Sequence, residues 1–99
     1  MNIKGFQERS FVIEKKIRER HPTQEPVFIT IMKIVEELGE LANLIMVSKS
    51  MARGDKLLEP EKVKEDIGKE ITDVLIGLSI VASYYNVDLE KSVKQTARP

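Results

Sequence analysis

Two long stretches, residues 27–52 and 60–85, carry apolar side chains at helical spacing over more than one face. In the first, Ile31, Ile34, Val35, Leu38, Leu41, Ala42, Ile45 and Met46 form a wide stripe. Ile29, Leu44 and Val47 extend it almost round the cylinder. In the second, Val63, Ile67, Ile71, Val74, Leu75, Leu78 and Val81 form one broad face, and Ile76 and Ile80 add another. A helix apolar on most sides is not satisfied by one neighbour. A short connection, residues 54–60, predicts that the two helices pack antiparallel. Their surplus apolar faces predict a core completed by oligomerisation.

The remaining elements follow from local signals. A first helix is predicted over 4–20, with Phe6, Ile13 and Ile17 at helical spacing and Val12 beside them. Two prolines within His21-Pro22-Thr23-Gln24-Glu25-Pro26 mark a loop. Gly54 is the expected stop of the second helix, and Pro60 suits the first turn of the third. Asn86 is a helix-ending residue, and Asp88 an N-cap for a short helix over 89–96, with Leu89 and Val93 inward. No strand pattern of useful length occurs. The expectation is a single all-α domain over 1–99, an antiparallel helical bundle of three long helices plus a short C-terminal helix.

Composition narrows the function classes. Sixteen basic residues balance sixteen acidic ones, which gives no sign of a nucleic acid or anionic membrane partner. There is no cysteine, so disulfides and thiolate metal sites are excluded and a reducing compartment is compatible. The N-terminus lacks the apolar run of a signal peptide, and Val74–Ala82 is too short to span a bilayer. A soluble, cytoplasmic protein is expected.

Carboxylates interrupt both apolar segments. Glu36, Glu37 and Glu40 fall within one turn and a half of the second helix. Glu70 and Asp73 share a face of the third. Glu40 lies fourteen residues before Gly54 and Glu70 sixteen after it, so the two groups reach similar heights across the turn. A lone E-x-x-E is ordinarily a solvated face; the matched pair on two apolar helices points to a metal site instead. Converging carboxylates repel unless protonated or bridged by a cation. Hard oxygen donors suit Mg²⁺ or Mn²⁺, and such sites point to phosphate chemistry. A di-iron centre built on Glu-x-x-His pairs is disfavoured, because His21 is the only histidine. Lys33 precedes Glu37 by one turn and is expected to ion-pair with it, with phosphate contact as the alternative.

E-E-x-x-E followed by E-x-x-D on the next helix resembles the all-α nucleoside triphosphate pyrophosphohydrolases, and the chain looks like a MazG-like member. The residues that carry the similarity are His21-Pro22, Lys33 to Ala42, Glu70 to Leu75 and Asn86 to Glu90. The resemblance implies Glu37, Glu40, Glu70 and Asp73 as metal ligands. It implies Glu36, the first acidic residue of the motif, as a catalytic residue that helps orient or deprotonate the water or binds a further metal. It further implies Mg²⁺ as cofactor with Mn²⁺ as substitute, a nucleoside triphosphate cleaved to monophosphate and pyrophosphate, and a homodimer or homotetramer. Many members continue beyond the last helix with a phosphate-reaching basic segment. Here the sequence stops at Arg98-Pro99, so the expectation is either that this grip is lacking or that Lys94 and Arg98 replace it. The rival readings are a phosphoribosyl-ATP pyrophosphatase, which shares motif and fold, and a non-catalytic helical interaction module.

Overall fold

A computed structural model describes residues 1–51 and 59–97, and every regular element among them is helical. The helices are α1 (Ile3–Arg20), α2 (Pro26–Met51), α3 (Pro60–Tyr84) and α4 (Leu89–Thr96). All four expected elements are present within a residue of their expected ends. The Gly54 stop lies outside the described residues, as does Arg98. No described helix is long and apolar enough to cross a membrane.

Local chemistry sets the ends. The Asn2 side chain accepts the Gly5 N–H at 2.8 Å, which starts α1 one residue earlier than its apolar pattern does. Proline occupies the first position of both α2 and α3, where its missing N–H costs nothing. At the end of α3, Asn86 takes a left-handed φ of 55°. The Val87 N–H then reaches the Ala82 carbonyl at 2.8 Å, and the Asn86 N–H reaches that of Ser83 at 3.1 Å. This is a Schellman stop with asparagine in the glycine position. Asp88 caps α4 by accepting the Lys91 N–H at 3.1 Å.

The third helix is central: α2 packs along it, α1 packs on it, and α4 lies against α1. Ile34 of α2 seats on Gly77 of α3, where a side chain would collide with it. Near the chain's end, the Gln7 amide clamps α1 to the α3–α4 turn. It donates to Ser83 Oγ and to the Val87 carbonyl, and accepts the Leu89 N–H. Phe11 meets Tyr84 edge to face, with ring centroids 5.0 Å apart.

The buried line of α1 differs from the apolar one. Gln7, Ser10 and Glu14 are buried, while Val12, Ile13 and Ile17 are exposed. Each buried polar group has a partner, so the usual penalty is met. Val93 is likewise exposed rather than inward, and Leu89 is half-buried. Ile31, Val35, Leu38 and Ile45 of α2 and Ile71, Leu75 and Leu78 of α3 also remain exposed. The only buried hydrophobic residues among those described are Ile34, Ile80 and Ala82. The molecule is a slab of 48 × 41 × 20 Å with a radius of gyration of 16.5 Å. A compact chain of this length has a radius of about 13 Å. Its accessible surface is 7880 Å², against about 5,700 Å² for a compact monomer of this mass.

Candidate metal centre

The site lies where α2 and α3 face each other one to two turns from the Ile34–Gly77 contact. Glu37 is three residues beyond Ile34 and so shares its inward face. Asp73 is four residues before Gly77, and Glu70 a further three, so both look back at α2. One carboxylate oxygen from each of Glu37, Glu70 and Asp73 lies within 4.8 Å of the others. Glu37 is buried, at 7% exposure, and the other two are half-buried.

The remaining expected residues sit around this trio. Glu40 is exposed and is not one of the three. Three residues advance a helix by about 300°, so Glu40 is rotated about 60° from the direction of Glu37 towards solvent. Its charge still reaches the site, being among the causes that raise Glu70. Glu36 is exposed too and faces Lys33, with Nζ to Oε1 at 3.8 Å. Lys33 also pairs with Glu37 Oε1 at 3.5 Å, the ion pair expected from their spacing. The two carboxylates, Glu36 first, raise the lysine's pKa. Lys94 is elsewhere. It faces Glu90 of α4 at 3.9 Å, and Glu90 accepts the backbone N–H of Lys4 at the start of α1.

The nearness of their carboxyl groups splits the titration of Glu37 and Glu70. A hydrogen bond between the two when one is protonated is the main cause pushing Glu70 up to about 7, with burial and the charges of Glu37, Glu40 and Asp73 adding to it. The same bond, helped by Lys33, lowers Glu37. The pair thus holds a proton near neutrality, as two carboxylates this close must without a cation. Glu70 Oε2 is buried and has no hydrogen-bond partner among the described residues. A buried acceptor left unpaired in an all-oxygen donor set is what a hard divalent ion would satisfy, so the residues fit Mg²⁺ or Mn²⁺.

A second polar cluster adjoins the site and was not marked out by the sequence motifs. Glu14 is buried, at 3% exposure. Its Oε2 accepts the Tyr84 hydroxyl at 2.8 Å and faces Arg18 Nε at 3.2 Å. Burial is the main cause that pushes the Tyr84 hydroxyl up to about 12, so it stays a donor. The i,i+4 spacing of Glu14 and Arg18 is the one signal in the sequence that points to this pair. Arg18, Lys33, Glu37 and Asp73 border a common cavity of about 350 Å³ between α1, α2 and α3.

Comparison with protein-family models, curated proteins and solved structures gave no match for this chain, so the reading of the site rests on its own residues.

Proposed function

We propose that the protein is a MazG-like nucleoside triphosphate pyrophosphohydrolase. It hydrolyses the α–β phosphoanhydride to a nucleoside monophosphate and pyrophosphate, with Mg²⁺ or, in its place, Mn²⁺. The observation that carries this reading is the meeting of Glu37, Glu70 and Asp73 within 4.8 Å, together with the unpaired, buried Glu70 oxygen. These three would hold the ion, with Glu40 as the fourth ligand from the next turn of α2. Bound there, Mg²⁺ supplies charge neutralisation for the triphosphate and a water of lowered pKa. The chain's own groups do the rest. Lys33 keeps Glu37 ionised and oriented through its 3.5 Å contact. Glu36, exposed beside it, is the carboxylate available to take the proton of the attacking water. Phosphate transfer needs little more than positioning and charge stabilisation.

The active form is a cytoplasmic homodimer or homotetramer in which α2 and α3 run antiparallel. Contacts support that direction, because Ile34 meets Gly77 while Glu37 meets Glu70: numbers rise on one helix as they fall on the other. The excess surface of about 2,200 Å² over a compact monomer supports a second copy against the exposed α2–α3 stripe, being of the size obligate dimers bury.

The test is pyrophosphate release from a panel of ribonucleotides, deoxynucleotides and phosphoribosyl-ATP with Mg²⁺ and Mn²⁺. Asp73→Asn and Glu40→Gln are expected to lower the rate by about a hundredfold or more, since each removes a charge from the metal set. Undiminished release by a folded Asp73→Asn protein would show that the site is wrongly assigned.

A further inference from the structure

The cavity beside the carboxylates is walled by isoleucines of three helices, among them Ile17, Ile29, Ile34 and Ile76. Its volume of about 350 Å³ lies at the lower end of the range of roughly 300–1,000 Å³ for small-molecule sites. Apolar walls suit the faces of a planar ring, and a few polar groups then set its orientation. Two such groups face the cavity from the side of α1 and the start of α2. The Thr30 hydroxyl is already spent on the Pro26 carbonyl at 2.8 Å. Arg18 is not spent. Its Nε faces Glu14, its Nη1 donates to the His21 carbonyl at 3.2 Å, and its Nη2 meets no protein acceptor among the described residues.

Arg18 is held in place by groups the metal centre does not use. Glu14, itself held by the Tyr84 hydroxyl, ion-pairs with the Nε edge of the guanidinium from within the protein. A buried ion pair of this kind adds little stability over an apolar replacement. What it does here is hold Arg18 at the wall of a cavity that Glu37 and Asp73 also line.

We infer that Arg18 reads the base of the nucleotide: the cavity takes a heterocycle that presents a carbonyl oxygen to Nη2, so 6-keto purines and 4-keto pyrimidines are preferred over their amino counterparts. Glu14 and Tyr84 are positioning residues for Arg18. The inference rests on the nucleotide reading proposed above. A guanidinium only donates hydrogen bonds. An amino group at the same place sets donor against donor and leaves both unpaired, which is the most effective form of rejection.

The experiment is equilibrium binding of the α,β-methylene analogues of GTP, UTP, ATP and CTP in Mg²⁺, with tripolyphosphate and Mn²⁺ as a base-free probe. The full chain is expected to favour the GTP and UTP analogues by about tenfold or more, the size of one good arginine–base contact. Arg18→Gln is expected to bring that ratio below about threefold while tripolyphosphate binding is unchanged. Arg18→Lys keeps the charge but not the fork and is expected to fall between. Tyr84→Phe leaves Arg18 present and is expected to narrow the ratio without moving tripolyphosphate affinity. A wild-type ratio near one, a ratio that survives Arg18→Gln, or weakened tripolyphosphate binding in that variant overturns the base assignment; the last makes Arg18 a phosphate ligand. Failure of the wild-type chain to bind tripolyphosphate with Mn²⁺ counts against the metal-centre reading instead, and the base ratio is scored independently of it.

Discussion

Gly77→Ala tests the packing that brings the carboxylates together. A Cβ at position 77 would lie 2.6 Å from Ile34 Cγ1 and 3.1 Å from its Cδ1. Carbon atoms prefer about 3.5–4.0 Å, so the nearer contact is roughly 1 Å too short. The nearer atom is close to the backbone of a residue stiff at χ1, and Ile34 is buried, so it has little freedom to swing away. Overpacking costs about 1–3 kcal/mol, and this geometry places it in the upper half of that range. Alanine recovers about 1 kcal/mol of helix propensity. The net loss is about 1–2 kcal/mol, a fall in Tm of about 4–16 °C for a domain of this size. The assay is thermal unfolding at fixed protein concentration, because assembly would make Tm depend on concentration. Ile34→Ala alone should cost about 2–5 kcal/mol through the cavity it leaves. In the double variant the new methyl occupies that space, so the cycle should show a favourable coupling of about 1 kcal/mol or more. Separation of α2 from α3 should also weaken Mn²⁺ binding in the single variant, since Asp73 is one turn from Gly77. A Gly77→Ala protein as stable as wild type, with additive effects in the cycle, would refute the close-contact argument.

Two further outcomes follow from the site and the surface. Glu70 has a folded pKa of about 7 against an ordinary value of 4.5, so between those values the folded chain holds a proton that the unfolded chain has released. Without divalent ion, stability therefore falls as pH rises through that window; the ion must displace the proton, so Mn²⁺ affinity should rise by up to about tenfold per pH unit below about 7 and level off above it. Titrations followed by Mn²⁺ electron paramagnetic resonance should show this slope in wild type and lose it in Glu70→Gln; a flat wild-type profile would contradict the shared proton. Val35→Lys and Leu38→Glu place charges in the exposed α2 stripe, and sedimentation velocity should show the assembly shifting towards monomer. A wild-type chain that sediments as a monomer would remove the argument for a second copy.

Much of the helical framework could be read along the chain because its signals are local. Asp88 caps its own helix, Asn86 stops α3, and the prolines open α2 and α3, each through atoms a few residues away. The pairing of Glu37 with Glu70 and Asp73 was also legible, because the carboxylates interrupt two apolar helices at matched heights. What the spacing did not resolve was which acid of Glu36, Glu37 and Glu40 turns inward. Shared-face reasoning tolerates rotations of about 60°, and that is the angle separating Glu40 from Glu37.

The face of α1 illustrates the opposite case. Apolar periodicity selects Val12, Ile13 and Ile17, yet Gln7, Ser10 and Glu14 are buried. The preference is decided by partners far along the chain: Ser83, Val87 and Leu89 for Gln7, and Tyr84 for Glu14. A polar side chain is costly inside only when unpaired, and pairing across seventy or more residues leaves no local trace.

The sequence by itself determined four helices, their ends and the two acidic faces, since helical periodicity and capping act over one or two turns. Only the tertiary structure decided that Glu37 is the inward acid of its trio, that Glu70 bears the unpaired oxygen, and that Arg18 borders the same cavity. Those three facts depend on the rotation of α1 and α2 about α3. That rotation is settled by contacts such as Ile34 on Gly77, which exist only once the helices have packed.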